Sequence, residues 1–430
     1  MTDLYSRSDA LALSLLFAAA LVASLVLKFW LASRQIRHVA THRNAVPMAF
    51  ATQVSLQAHQ KAADYTIAQS RLGLLELAWA TAVTLMWTLM GGLSWLNQVL
   101  LHWVDAGLWQ QPALLVAFTV LNALLDLPFS LYRTFVVEQR FGFNRITTGL
   151  WLQDLLKSLA LGAVIGIPLA LLVLWMMGTT GALWWFWTWS VWMGFNLLML
   201  LVYPAWIAPW FNQFKPLEDL ELAQRVDRLM ARCGFTAKGF YVMDGSRRSA
   251  HANAYFTGFG ASKRVVFYDT LLAQLNPAEV DAVLAHELGH FRHRHILKRL
   301  LSLFVLSLGG FALLGWCSQH AWFFTGLGVA PNMQGANDAL ALLLFMMVLP
   351  LLGTFAGPLF AQLSRRHEFE ADAFAVAHTS GADLSAALLK LYKDNASTLT
   401  PDPLYVKFYY SHPPASERLG RMLASGTQAS

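Results

Sequence analysis

The chain has 430 residues, of which 56% are hydrophobic and only 13% charged, with 17 tryptophans and a formal net charge of +6. Soluble domains carry about 25% charged residues, which excludes an ordinary aqueous globular fold and makes the bilayer the solvent for much of the chain. Cys233 and Cys317 are the only cysteines, too few for a disulfide framework or a thiolate metal centre.

A helix needs about 20 mostly apolar residues to cross the hydrocarbon core. Seven stretches qualify: 10–31, 73–96, 112–132, 155–177, 182–206, 300–319 and 339–361. The first has an apolar run too long for a signal peptide and carries Asp3 and Asp9 beside Arg7, so it reads as a retained span. Glu76, Asp126, Asp154 and Lys157 fall inside or at the ends of spans two to four. Charges there are costly and should face a wet interior. Trp184, Trp185, Trp187, Trp189 and Trp192 crowd one half of the fifth span and read mostly as lipid-facing interfacial bulk.

Seven spans leave 1–9, 97–111, 178–181 and 320–338 on one side, where Arg7 is the single basic residue, and 30 of the 31 Lys and Arg on the other. The positive-inside rule makes the second side cytoplasmic and the N-terminus external. The positive charge is thereby explained by loop topology, with no call for a nucleic-acid partner. The expected organisation is spans one to five over 1–211, a cytoplasmic segment over 212–299, spans six and seven over 300–361 and a cytoplasmic C-terminal segment over 362–430. Within 212–299, "FYVMD" (240–244) reads as a strand and "AYFTGFGASKRVVFYDT" as a hairpin turning around Gly258, Gly260, Ala261 and Ser262.

The stretch "NPAEVDAVLAHELGHFRHRH" (276–295) begins as a capped helix: Asn276 at the N-cap, Pro277 at N1 and Glu279 at N3. It carries His286-Glu287-Leu288-Gly289-His290. Two imidazoles at i and i+4 share a helical face and suit a zinc ion, with the glutamate beside them free to accept a proton from water. A hydrolytic zinc takes three protein ligands and keeps one position open. A metzincin would need a glycine at 293 and a histidine at 296, where this chain has His293 and Ile296. His293 lies about 10 Å along the axis from His286, and His295 falls on the opposite side of a continuous helix, so both read as interfacial or supporting groups. The other candidate stretch is "SRRHEFEADAFAVA" (364–377), returned to the same face by spans six and seven. Glu368 and Asp372 share a helical face and Glu370 points away. Glu368 is the expected third ligand, with Asp372 holding a ligating imidazole by its far nitrogen.

These residues belong to a wider pattern. The chain resembles the type I CAAX prenyl endopeptidases in "EQRFGFNR" (138–145), "VYPAWIAPWFNQFKPL" (202–217), "SAHANAYFTGFG" (249–260), "VLAHELGHFRHRH" (283–295), "SRRHEFEADAFA" (364–375) and "YSHPPASERL" (410–419). The resemblance thins over 32–70 and the external loops. It implies a mainly α-helical fold: a seven-span barrel enclosing a water-filled chamber, capped by a cytoplasmic zinc-metalloprotease domain with a small β-sheet. It implies one zinc ion on His286, His290 and Glu368, Glu287 as general base, Asn253 as a substrate contact and His412 as a group reaching the scissile carbonyl. The implied substrate is a peptide or protein cut after a prenylated cysteine, though a bacterial member need not meet one, and a bacterial inner membrane is the expected location.

The residues agree on their own terms. Asn253 precedes an edge-like strand to which an extended substrate could add, and His412, on a Pro-Pro turn, could donate to a developing oxyanion. Alternatives remain. A heat-shock-type membrane zinc protease would be shorter, with about four spans. A site-two-type protease would bury the motif in a span, which Arg292, Arg294, Lys298 and Arg299 make expensive. A zinc-containing transporter or scaffold would close the site with a fourth ligand.

Overall fold

The computed structural model describes residues 2–104, 109–236, 239–257, 264–333 and 335–426. Among the described residues six helices are long and apolar enough to cross a membrane, and a bent pair makes up to seven. The first is α1 (Thr2–His42). The second expected span is the bent pair: α2 (Leu56–Trp87) and α3 (Gly92–Trp103) meet at 52°. The apolar run 73–96 predicts one unbroken span, and the structure places a break between Trp87 and Gly92. Gly91 makes it possible with φ +79°, a region open to glycine at little cost, and a Cβ on Gly92 would lie 2.5 Å from the Met86 carbonyl oxygen.

Next come α4 (Gln110–Tyr132), α5 (Thr148–Leu161) continued by α6 (Ile167–Thr179), α7 (Trp184–Val202) and the short α8 (Ala208–Phe211). Each long helix carries a π turn within it or at its end, at Arg133–Glu138, Gly162–Gly166 and Tyr203–Ile207. The tryptophan-rich fifth span differs from expectation. Trp184 is buried, Trp185 packs against Gly315, Trp189 Nε1 donates to Ser307 Oγ at 3.1 Å, and Trp192 meets Phe311. Only Trp187, half exposed, fits the lipid-facing reading. Composition could not distinguish lipid contact from packing on a neighbouring helix, because both environments are apolar.

A four-stranded mixed sheet follows, in the order β1-β2-β4-β3. β1 (Phe214–Pro216) pairs antiparallel with β2 (Gly239–Met243), which runs parallel to β4 (Arg264–Tyr268). β3 (Ala254–Thr257) pairs antiparallel with β4 and forms one edge. The hairpin expectation holds for β3 and β4, while its turn at 258–263 lies outside the described residues. The parallel β2–β4 pairing joins strands separated by a long connection, which local alternation does not reveal. Val265 and Phe267 on β4 pack with Val226 and Leu229 of α9 (Leu220–Arg232) into a core beneath α10 (Asp269–Leu272) and α11 (Pro277–Arg292).

The chain then re-enters apolar surroundings through α12 (His295–Cys317), crosses a short α13 (Ala321–Gly326) and returns as α14 (Asp338–His378). α14 is a single 41-residue helix, so the last span and the acidic motif form one rod with no break at 361–362. Beyond it lie α15 (Gly381–Asp394), α16 (Pro403–Tyr409) and α17 (Ala415–Gly426). Three of the four charges named in the spans, Glu76, Asp154 and Lys157, have partners. Glu76 pairs with Arg133, Asp154 takes Arg248 on both oxygens at 2.8 and 3.0 Å, and Lys157 Nζ donates to the Trp210 carbonyl at 2.7 Å. The second of these pairs ties a span to the segment carrying the sheet.

A cavity of about 1120 Å³ opens between the spans and this capping layer. Lys28, Gln35, Tyr65, Arg133, Asn253 and His412 are among its lining residues. It exceeds the roughly 300–1,000 Å³ typical of small-molecule sites.

Candidate metal and active site

The helix α11 starts where its residues dictate. Asn276 Oδ1 accepts from the backbone N–H of Ala278 and Glu279, and the Glu279 carboxylate accepts from Asn276 N at 2.8 Å. Pro277 costs nothing at N1, where its missing donor would be unpaired anyway. The helix runs sixteen residues, which sets His286 and His290 on one face with the remainder of that face against α14.

Contact between these helices is close because Gly289 allows it. A Cβ there would meet Ala371 Cα at 2.9 Å and the Ala371 carbonyl oxygen at 3.1 Å, backbone atoms that cannot swing aside. Gly289→Ala should therefore push α14 outward and cost roughly 1–3 kcal/mol of stability by overpacking. Because the displaced helix carries Glu368, metal retention should fall with the melting temperature. A variant with wild-type melting and metal content would show that the approach is less constrained than it is drawn.

His286 Nε2, His290 Nε2 and a Glu368 oxygen converge. The two nitrogens are 3.3 Å apart, and they lie 3.4 Å from Glu368 Oε2 and Oε1 respectively. Among the described residues this is the one group of three whose ligand atoms all fall within 4.8 Å. Donors bonded at about 2.0–2.1 Å to a tetrahedral ion stand about 3.3–3.4 Å from one another; the imidazole pair has that spacing, and the carboxylate reaches one nitrogen through each oxygen. Glu368 is 3% exposed, and His412 Nδ1 lies 2.7 Å from its Oε2. A carboxylate this buried carries a desolvation cost, which a cation offsets. The donor set fits a divalent metal.

Asp372 lies behind His286. His286 Nδ1 is 2.8 Å from Asp372 Oδ1. Arg418, missed as a participant, grips the same carboxylate through Nη2 at 2.5 Å and Nε at 2.8 Å. The residue stood in "YSHPPASERL", but its partner is 46 positions away in sequence and only packing joins them.

Burial disfavours charge on His286, yet the Asp372 and Glu368 carboxylates outweigh it and raise its pKa to about 9 in the metal-free protein. His290 goes the other way, down to about 3, because burial and then the neighbouring charge on His286 both oppose protonation. Burial pushes the Glu287 carboxyl up, with nearby Glu368 adding to it. Asn253 and His412 line the same cavity. Asn253 Oδ1 accepts from Ala254 N at 2.9 Å, immediately ahead of edge strand β3. His412, 65% exposed at its side chain, joins that cavity to Glu368.

Two expectations need correction. His295 does not lie on the far side of a continuous helix, because α11 ends at Arg292 and Arg294 takes a left-handed φ of 56°. This conformation costs a side-chain-bearing residue roughly 1–2 kcal/mol. The break swings His295 back until its Nδ1 lies 2.9 Å from His290 Nδ1. Glu370 does not point away from the site's support either: its Oε2 meets His295 Nε2 at 2.9 Å. Helical phase from Glu368 was the wrong guide, since the partner arrives from another element. His293 stacks on His295 at 5.5 Å and is not brought to the three converging donors.

Comparison with known proteins accords with this geometry. Residues 35–213 match the family described as CAAX prenyl protease N-terminal, five membrane helices, and residues 216–425 match peptidase family M48. A CAAX prenyl protease 1 homolog of Arabidopsis thaliana is 38% identical over 69% of this chain and 70% of its own length. A homolog from Caenorhabditis elegans is 31% identical over 96% of this chain and 98% of its own. The crystal structure of S. mikatae Ste24p superposes with a TM-score of 0.89 at 29% identity, covering 95% of this chain and 99% of that one. Matches along nearly the whole chain, joined to a convergent His-His-Glu donor set, assign it: the chain belongs to the CAAX prenyl protease family of M48 peptidases and is a multi-pass membrane metalloendopeptidase.

Proposed function

We propose that the metal is one zinc ion held by His286, His290 and Glu368, and that the enzyme cleaves an extended peptide entering from the cavity. The observation that carries this reading is the convergence of those donors, the two nitrogens 3.3 Å apart and each 3.4 Å from its own Glu368 oxygen, beside a large cavity that His412 and Asn253 line. Two imidazoles and a carboxylate form the donor set of catalytic zinc. When bound, the ion supplies Lewis acidity to activate water and offset charge on a carbonyl oxygen.

The chain's own residues supply the remaining steps. Glu287 accepts the proton of the attacking water and returns it to the departing amine; burial lifts its carboxyl pKa toward the range suited to both transfers. Asp372, locked by Arg418, accepts from His286 Nδ1 and so keeps Nε2 turned toward the metal. His412 donates a hydrogen bond to the scissile carbonyl as charge develops there. The open edge of β3, next to Asn253, pairs with the extended substrate backbone.

The substrate we infer is a peptide or protein bearing a prenylated C-terminal cysteine, the class named by the relatives. The long lipid would occupy the cavity while the backbone lies along β3. Paired farnesylated and unmodified peptides test this: cleavage should be faster for the farnesylated one, and equal kcat/KM for both would remove lipid recognition from the reading.

We further propose that the metal site faces the cytoplasm, because 30 of 31 basic residues lie on the metal-site side. Cysteines placed at Asn332 and Ser416, in a background lacking Cys233 and Cys317, should label from opposite sides. Labelling of both from one side would overturn the topology.

Zinc binding should also release protons. His286, with its pKa near 9, is charged at neutral pH in the metal-free protein and must lose a proton to become a ligand, whereas His290 is already neutral. The sign follows: stabilisation of metal-free protein by charged His286 is complete below about 6.5 and fades as pH rises through about 9. Zinc affinity rises over that same interval, by about tenfold per pH unit. Calorimetry in buffers of different ionisation enthalpy should register close to one proton released per zinc at pH 7.5, and none would contradict the assignment.

A further inference from the structure

Both imidazoles of the metal site are backed by another polar side chain, and the reading above uses only one of these supports. On the side of His290, Nδ1 lies 2.9 Å from His295 Nδ1, and His295 Nε2 lies 2.9 Å from Glu370 Oε2. Arg366 Nε reaches the other oxygen of Glu370 at 3.3 Å. His295 is 3% exposed, and the His367 ring stacks on it at 4.0 Å with planes 13° apart.

Proton counting permits one arrangement of this chain when metal is bound. A neutral imidazole has one N–H and one acceptor nitrogen. His290 turns Nε2 toward Glu368 and His286, so as a ligand it carries its proton on Nδ1 and donates to His295 Nδ1. His295 therefore carries its own proton on Nε2 and donates to the Glu370 carboxylate, which can only accept. Reversing the direction would place a proton on His290 Nε2, the atom facing the other donors.

The backbone is shaped to make this contact. Were α11 to continue, His295 would sit about 140° around the helix from His290. The left-handed Arg294 breaks the helix and folds the imidazole back beneath the ligand. Unfavourable conformations of this kind persist where the surrounding structure needs them.

We propose that His295 and Glu370 are positioning residues that set the tautomer and ring orientation of His290, as Asp372 and Arg418 do for His286. The proposal rests on His290 being a metal ligand. Supporting partners of this type are generally worth 10–100-fold in metal affinity. Glu370 acts through an intermediate and should contribute less than His295.

The test is zinc affinity of the full-length protein in detergent, measured by competition with a graded chelator and requiring no turnover. His295→Phe keeps the stacked ring and removes the acceptor; it should weaken zinc by roughly 10–100-fold. Glu370→Ala, at a side chain 30% exposed and hence tolerant of change, should weaken it by a smaller factor. Glu370→Gln should restore most of the loss, because its amide oxygen still accepts from His295 Nε2. Melting of the metal-free Glu370 variants should match wild type, which separates positioning from a structural effect. Wild-type zinc affinity in both His295→Phe and Glu370→Ala would overturn the proposal, as would equal losses in Glu370→Ala and Glu370→Gln. His290→Ala distinguishes the two layers. If it loses zinc while His295→Phe does not, the relay alone is wrong; if it keeps zinc, the ligand assignment falls and the relay with it.

Discussion

Glu287→Gln is expected to bind zinc stoichiometrically while hydrolysis falls by roughly 100-fold or more. The two outcomes separate because Glu287 does not belong to the converging donor set of His286, His290 and Glu368, so the metal loses no ligand. Glutamine is nearly isosteric and leaves the packing of α11 intact, but its amide cannot accept a proton from water at neutral pH. The predicted signature is a fall in kcat with the metal content unchanged, since substrate backbone contacts along β3 are untouched. Metal analysis and peptide cleavage on the same preparation check it. Unchanged turnover would remove Glu287 from the mechanism, whereas lost zinc would mean that its carboxylate contributes to holding the ion.

Glu368→Ala is expected to lose most bound zinc and, with it, activity. The variant removes one of three protein donors and the negative charge that balances the dication. It also leaves His286 and His290 facing each other at 3.3 Å with no third group between them and α14. Losses along α14 should be graded. Glu368→Ala strips the ligand itself. Asp372→Ala leaves His286 Nδ1 and buried Arg418 without their shared partner, and an uncompensated buried charge is costly. Its effect should reach about 10–100-fold in metal affinity or activity. Glu370→Ala should follow with the smallest deficit, through His295. Bound zinc after dialysis against a graded chelator would rank the three. An order in which Glu370→Ala released zinc and Glu368→Ala retained it would show that the donor assignment is wrong.

Helix phase was a reliable guide only while the helix lasted. His286 and His290 could be paired from sequence because i and i+4 positions stay neighbours on any α-helix, and the capping residues Asn276, Pro277 and Glu279 announced where that helix starts. Glu368 and Asp372 could be read together for the same reason, because α14 runs unbroken past them. The same logic failed at His295. A left-handed residue at Arg294 resets the direction of the chain, and nothing in an arginine side chain signals that conformation as a glycine would. The reading of Glu370 failed for a related reason: phase tells which way a side chain leaves its own helix but not which neighbour waits there.

By itself the sequence determined that much of the chain is built for a bilayer and which residues are candidates for the site. Apolar runs of sufficient length can only be membrane helices or buried core, and His-Glu-x-x-His with a later acidic helix leaves few chemical uses. Tertiary structure alone decided how the pieces meet. The bend between α2 and α3, the parallel pairing of β2 with β4, the grip of Arg418 on Asp372 and the path from His290 through His295 to Glu370 are all contacts between distant segments or products of single backbone angles. Periodicity records which face of an element is apolar. It does not record which element covers that face, and the surroundings of His286, His290 and Glu368 are built from such encounters: Gly289, where a Cβ would lie 2.9 Å from Ala371 Cα, lets α11 and α14 approach closely.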